Sequence, residues 1–184
     1  MKLVNDILFE SFYENQSVNF IVKQDAKKEQ RLVFLLDYAI YMGNQFGKVY
    51  LNKSSNACAI VVDPAKKKVT PKVVLWNIKL VFKVIGVKGV LKALQREKVL
   101  KQYQPKTDYI YLWFIGVKNE AQGKGLGTQL LKEIVEDYKG KAIHLETSTI
   151  ANLSFYEQNG FKRVSTLNEE IGYPLFIYTY QQDR

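Results

Sequence analysis

The residues of this chain whose types and spacing suit chemistry lie in its second half. Gly123, Gly125 and Gly127 alternate with Lys124 and Leu126, directly after the polar turn Lys118–Gln122. Directly behind them Leu130, Leu131, Ile134 and Val135 recur at helical spacing. A helix start presents unpaired N–H groups and about half a positive charge, which makes it an anion site. Glycine lets backbone turn tightly and approach phosphate oxygens with no Cβ in the way. Lys118 and Lys124 add positive charge nearby. Further on, Asn152 and Tyr156 stand four apart and so share one side of a helix. A phenol with an ordinary pKa near ~10 stays protonated at neutral pH, so Tyr156 is a candidate proton donor.

Two glycine motifs fail on spacing. A P-loop needs G-x-x-x-x-G-K-[ST]; counted from Gly116, the pair Gly123-Lys124 comes too late, and Gly125 stands where Ser or Thr would hold magnesium. The dinucleotide fingerprint G-x-G-x-x-G, counted from Gly123, meets Thr128 at its last position. Glu146 lies where a ribose-binding acid would fall, but that fingerprint belongs early in a parallel βαβ series.

The elements that must position these groups follow from periodicity. An amphipathic helix is expected over 3–15, an apolar turn over 18–22, and a second helix from about Asp25 to Phe46, stopped by Gly47 in the left-handed region. Lys48–Asn52 and Ala57–Val62 read as a hairpin, and 72–100 as one or two amphipathic helices kinked at Gly86–Gly89. The stripe Leu75, Ile78, Phe82 and Ile85 is expected to pack in the core; a substrate mouth and a membrane surface are the alternatives. Then follow a strand over Tyr109–Val117, a helix over Lys124–Lys139, a strand over Ala142–Glu146, a short helix over Thr149–Gln158, and strands over Phe161–Leu167 and Tyr173–Tyr180. The order describes a single-layer mixed α/β sheet in one domain spanning 1–184.

Bulk properties narrow the function. With 184 residues, 47% hydrophobic and 24% charged, the chain suits one soluble globular domain. No secretory signal is recognisable, so a cytoplasmic location is expected. The lone cysteine, Cys58, reads as a core residue. The lone histidine, His144, sits in an apolar run, which disfavours a Ser-His-Asp triad, and no Cys/His cluster of metal-ligand spacing exists, so no metal is expected. The lysines behind the net charge of +9 are taken as spread along the chain, with one run at Lys66–Lys68, which predicts a solvated surface with no nucleic-acid partner. The many lysines within 72–100 exclude a membrane-spanning helix, so no stable membrane insertion is expected.

The pattern that fits is Q/R-x-x-G-x-G/A, met by Gln122, Gly125 and Gly127. Here the sequence resembles the GCN5-related N-acetyltransferase (GNAT) superfamily. The resemblance continues through Leu145-Glu146-Thr147-Ser148, Asn152-Leu153 and Phe155-Tyr156-Glu157 to Gly160-Phe161, a form similar to the puromycin acetyltransferase-like branch. It covers 109–161; residues 1–108 are similar only in element order. The resemblance implies a mostly antiparallel mixed α/β (α+β) sheet flanked by helices, with acetyl-CoA as co-substrate and an amine as acceptor. Residues 109–184 then form the acetyl-CoA-binding core and 1–108 the acceptor side.

By the same resemblance, the pyrophosphate falls to Gln122, Gly123, Lys124, Gly125, Leu126, Gly127 and Thr128, and the pantetheine to the backbone of Ile115, Gly116 and Val117. Asn152 becomes a cofactor contact and Tyr156 the general acid for the departing thiolate. Many members carry a glutamate on the central strand, whereas Tyr109–Val117 holds no acid. Glu146, at the end of the neighbouring strand, is the candidate base; a surface or capping carboxylate is its alternative reading. A water chain ending on Asp108 or on a backbone carbonyl is a further route for the proton. The aromatics Phe12, Tyr13, Trp76 and Phe82 point to an apolar or aromatic amine. The missing acid motivates a second class, a non-catalytic acyl-CoA-binding module. Whether the chain forms a homodimer is left open.

Overall fold

In the computed structural model, which describes residues 1–181, six strands form one sheet in the order β1-β2-β3-β4-β6-β5. They are β1 (Gly47–Leu51), β2 (Ala57–Val62), β3 (Tyr109–Val117), β4 (Ala142–Thr147), β5 (Lys162–Leu167) and β6 (Leu175–Tyr180). All pairings are antiparallel except β3–β4, which is parallel. The β1–β2 hairpin closes because the Asn52 side chain accepts from the Asn56 and Ala57 amides at 2.9 and 3.0 Å, with Ser55 in the left-handed region.

The period of two sorts β2 onto two cores. Ala57, Ala59 and Val61 pack with Leu130, Leu131 and Ile134 of α6 (Leu126–Asp137) and with Tyr156 of α7 (Leu153–Gln158). Cys58 and Ile60 pack instead with α1 (Lys2–Phe12), α2 (Gln16–Ile21) and α3 (Lys28–Phe46). Burial pushes the Cys58 thiol up to about 12, so it is an unreactive core group. Each Leu or Ile moved fully into these cores contributes about 1.5–3 kcal/mol.

Two features of the central strands open the site. Pairing of β3 with β4 stops after Tyr109↔Ala142, Ile110↔Ile143 and Tyr111↔His144, although β3 runs on to Val117 and β4 to Thr147. The strands therefore part like a fork. Against β2, the register steps from Phe114 opposite Ile60 to Leu112 opposite Val61, so Trp113 is an extra residue, a β-bulge. The bulge reverses the strand's inside-outside alternation: Leu112 belongs to the α6 core and Phe114 to the α1–α3 core, while Ile115 and Val117 return to the α6 side.

Several elements differ from the sequence expectations. The turn over 18–22 belongs to α2, whose start is fixed by Asn15 accepting from the Val18 amide at 3.0 Å. Gly47 is no left-handed stop: its φ is −167°, and the chain passes straight from α3 into β1. Glycine is needed there because a Cβ would stand 2.0 Å from the Val61 carbonyl oxygen. The glycine-loop helix begins at Leu126 and ends at Asp137, and the 149–158 helix is a 3-10 turn, Ile150–Asn152, followed by α7.

The 72–100 segment departs furthest. It forms α4 (Pro71–Leu80), started by Thr70 accepting from the Val73 amide, then a π-turn over Val81–Ile85, a break at Gly86 with φ 72°, and α5 (Val90–Leu100). Val73, Val84 and Leu100 are buried, and Trp76 stacks on Tyr41 of α3. The expected core stripe is not core: Leu75, Ile78 and Phe82 are exposed, and only Ile85 packs inward. Two adjacent sides of α4 are apolar, and α3 covers one of them. Among the described residues no helix is long and apolar enough to cross a membrane.

Candidate active site

The fork between β3 and β4 opens a cleft of about 1170 Å³, roofed by the α1–α2 corner and by α5. The corner is tied to the end of β4: Asn15 donates to the Thr149 hydroxyl at 3.2 Å, and the Ser17 amide donates to Ser148 Oγ at 3.1 Å. Every catalytic and cofactor-binding residue that the resemblance implies, and the candidate base Glu146, lines this cleft except Lys124; Lys118 and Asp108 do not line it. The Lys124 ammonium turns back to donate to the Glu120 carbonyl at 3.0 Å.

At one end lies the glycine loop. Gly123 and Gly125 have φ of 75° and 74°, with open space where a Cβ would be. Gly125 is the residue that precedes α6, and among the described residues no side chain caps that helix, so its first amides are open. Gly127 serves differently from the other two. A Cβ there would press on the Phe155 ring at 3.0 Å, so Gly127 lets α6 and α7 meet. Gln122 holds the loop to the strand by donating to the Val117 carbonyl at 3.3 Å and to Asn119 Oδ1 at 3.0 Å. Between loop and fork runs the part of β3 that β4 leaves unpaired, Leu112–Val117, so backbone of Ile115, Gly116 and Val117 borders the cleft. Gly116 also admits α1, since its Cβ would sit 2.7 Å from Ser11 Oγ.

On the far wall Tyr156 is buried among Phe155, Phe161 and Tyr178. Burial raises its pKa well above the ordinary phenol range. Its hydroxyl borders the cleft and has no hydrogen bond among the described residues. Asn152 is exposed at the start of α7, on the same wall.

The other end is built around Glu146, whose side chain is 6% exposed. Its Oε2 accepts from Arg96 of α5 at 3.0 Å, and among the described residues Oε1 has no hydrogen-bond partner. Arg96 also donates to Tyr173 Oη at 2.8 Å and to Ser17 Oγ at 2.9 Å, so one guanidinium ties α5, α2, β4 and the β5–β6 loop together. Burial raises the Glu146 pKa; Arg96 opposes the rise, and Glu97 adds to it. A carboxyl moved toward neutrality in this way is suited to accept a proton.

The aromatics that line the cleft are not those expected from sequence. Of Phe12, Tyr13, Trp76 and Phe82, only Phe12 lines the cleft; Trp76 packs on α3 and Phe82 is on the surface. The walls come from β3 itself, as Tyr109, Tyr111 and Trp113. Arg96 is a site residue that the sequence pattern does not single out. One signal was present: it is the only arginine between Arg31 and Arg163, amid lysines.

The sheet is forked, and the glycine-led start of α6 stands at the cleft that the fork opens. Residues 83–163, somewhat under half of the chain, match the acetyltransferase (GNAT) domain family. The whole fold is similar to the crystal structure of "histone acetyltransferase HPA2 and related acetyltransferase" from Corynebacterium glutamicum, with a TM-score of 0.68 at 18% identity over 98% of this chain and 90% of that one. It is also similar to an insect putative arylalkylamine N-acetyltransferase 7 from the yellow fever mosquito Aedes aegypti, with a TM-score of 0.61 at 11% identity over 99% and 83%. An acetyltransferase from Thermus thermophilus gives a TM-score of 0.57 at 12% identity over 98% and 90%. The domain match thus links residues 83–163 to acetyltransferases, and the solved structures share the fold of the whole chain.

Proposed function

We propose that the protein transfers the acetyl group of acetyl-CoA to the amine of an apolar or aromatic acceptor by direct attack on the thioester. The observation that supports this most is the fork: one cleft joins the open amides of α6, the unpaired edge of β3, the free Tyr156 hydroxyl and the free oxygen of Glu146. The α6 start receives the pyrophosphate, with Gln122 keeping the loop in place and Asn152 adding a polar contact. The backbone of Ile115–Val117 aligns the pantetheine and polarises the carbonyl. Residues 109–184 carry this cofactor half, and 1–108 close the acceptor end through α1, α2 and α5.

As the amine nitrogen bonds to the carbonyl carbon, its proton passes to Glu146, the carbon–sulfur bond breaks, and Tyr156 protonates the departing thiolate. Tyr109, Tyr111 and Trp113 offer the acceptor a flat aromatic wall, with Glu146 and Glu97 to attract its amine. The LETS…NLxFYExxGF form supports a place near the puromycin acetyltransferase-like branch.

The test is thiol release from acetyl-CoA against a panel of aromatic, aliphatic and polyamine acceptors, with acetyl-CoA affinity measured in parallel. Turnover is expected to favour aromatic amines. Tight acetyl-CoA binding with no turnover on any amine would sink the catalytic reading and favour an acyl-CoA-binding module, the reading motivated by a central strand without an acid.

A further inference from the structure

The lysines of this chain are not evenly spread. Twelve of the 27 basic and one of the 18 acidic side chains fall between residues 64 and 107, which gives that segment +11 and leaves −2 for the rest. Its eleven lysines are all exposed, and its one acid, Glu97, sits at the rim of the cleft.

The same segment carries eight of the fourteen large hydrophobic side chains that are exposed among the described residues. Leu75, Ile78 and Phe82 follow one side of α4 and its π-turn, with Phe82 65% exposed; Val87, in the 3-10 turn before α5, and Leu91 and Leu94 of α5 are exposed too, Leu91 to 78%. Beside Phe82 a hollow of about 360 Å³ is lined by Lys27, Gln30, Arg31, Phe34 and Lys83, cations around aromatic walls. Exposed apolar rows and uncompensated lysines thus share one helical pair.

Three kinds of occupant suit such a face unequally. A second copy would set the six exposed lysines between Pro71 and Leu100 against six more, in a face with almost no acids to meet them, which opposes association. A nucleic acid would use the lysines but leave the leucines and Phe82 in water. An anionic bilayer uses both, lysines at the headgroups and apolar side chains at the acyl boundary. We propose that the outer face of α4–α5 docks this protein peripherally on an anionic lipid surface. The site's geometry gives the docking a consequence. Leu94 and Glu97 of α5 and Lys101 just after it fall at i, i+3 and i+7, and the last two line the cleft, so the docked face runs to the acceptor mouth.

Co-sedimentation of the full chain with phosphatidylcholine vesicles, with and without a third of phosphatidylglycerol, tests this without requiring turnover. Binding is expected only with the anionic lipid, weakening as salt is raised. Phe82→Ser and Leu91→Ser should each weaken it about tenfold, and Lys79→Gln and Lys88→Gln each about fivefold, with unchanged melting temperatures since all four side chains are exposed. Three results overturn the proposal. The first is no preference for anionic vesicles. The second is binding, to vesicles or to duplex DNA in competition, that Phe82→Ser and Leu91→Ser together leave intact, which would make the face a purely ionic one. The third is a dimer in solution that the same double variant returns to monomer.

Discussion

At the residue scale the reading stands on two side chains with opposite proton duties. Tyr156→Phe removes only the hydroxyl, whose ring stays packed among Phe155, Phe161 and Tyr178. It is expected to lower kcat about 10²-fold, the usual size of a lost general acid, with acetyl-CoA KM nearly unchanged. Equal loss in a variant that also melts early would reassign Tyr156 to packing. For Glu146 the active form is the carboxylate, and burial raises its pKa. The rate should therefore climb with pH through a range above that of ordinary carboxylates, and Glu146→Gln should be slow and lack that climb; an unchanged pH–rate profile would remove Glu146 from the reaction. Tyr156, Asn152 and the glycines could be picked out as candidates in sequence because the motifs that carry the resemblance are local, each within one turn or loop, and all of them line the cleft. The state of Glu146 was not. It depends on Arg96, fifty positions away, reaching it only after α5 folds over β4.

At the element scale the glycine loop separates conformational need from ligand contact. Gly125 lies at φ 74° at the mouth of the cleft, while Gly140 lies at φ 85° outside it, and at both nothing among the described residues comes within 4 Å of a Cβ. Alanine in the left-handed region costs roughly 1–2 kcal/mol at either position. Gly125→Ala should in addition raise acetyl-CoA KM about tenfold, because its Cβ enters the space of an approaching phosphate. Gly140→Ala should lower the melting temperature alone. If both variants shift KM alike, the loop is not the pyrophosphate site. Strong periodicity made α1, α3, α6 and the β1–β2 hairpin readable, and the split of 72–100 followed from Gly86. The fork and the bulge at Trp113 were not readable, because Tyr109–Val117 is an unbroken strand-like run and its pairing partners are set by distant chain. The outer stripe of α4 misled for a plain reason: apolar spacing reports a helix face, and whether another element covers it is a tertiary fact.

At the scale of the whole molecule, acid stability turns on a group outside the reaction. His144 is 1% exposed on β4, facing the rings of Tyr109 and Tyr111, with Nδ1 3.4 Å from Thr179 Oγ1 and Nε2 unpartnered among the described residues. Burial lowers its pKa to about 4, so the folded protein holds a neutral imidazole where the unfolded chain binds a proton near pH ~6.5. The stabilisation from keeping it neutral is fully present above the unfolded value and is lost as pH falls from about 6.5 toward 4, where the folded state protonates too; over that window the loss is about 3 kcal/mol. Glu146 works the other way, since its raised pKa makes the fold relatively more stable as acid protonates it. Comparison with His144→Phe isolates the imidazole, because Glu146 and the exposed carboxylates are common to both proteins and cancel in the difference. Phenylalanine keeps a ring between the two tyrosines and gives up only the bond to Thr179, a pH-independent offset. Urea midpoints measured from neutral pH down to about pH 4.5 should fall more steeply in the parent than in the variant, with the two curves converging or crossing on the acid side. Parallel curves across that range would mean that the folded state accommodates the imidazolium, and that the core at the base of the fork admits water.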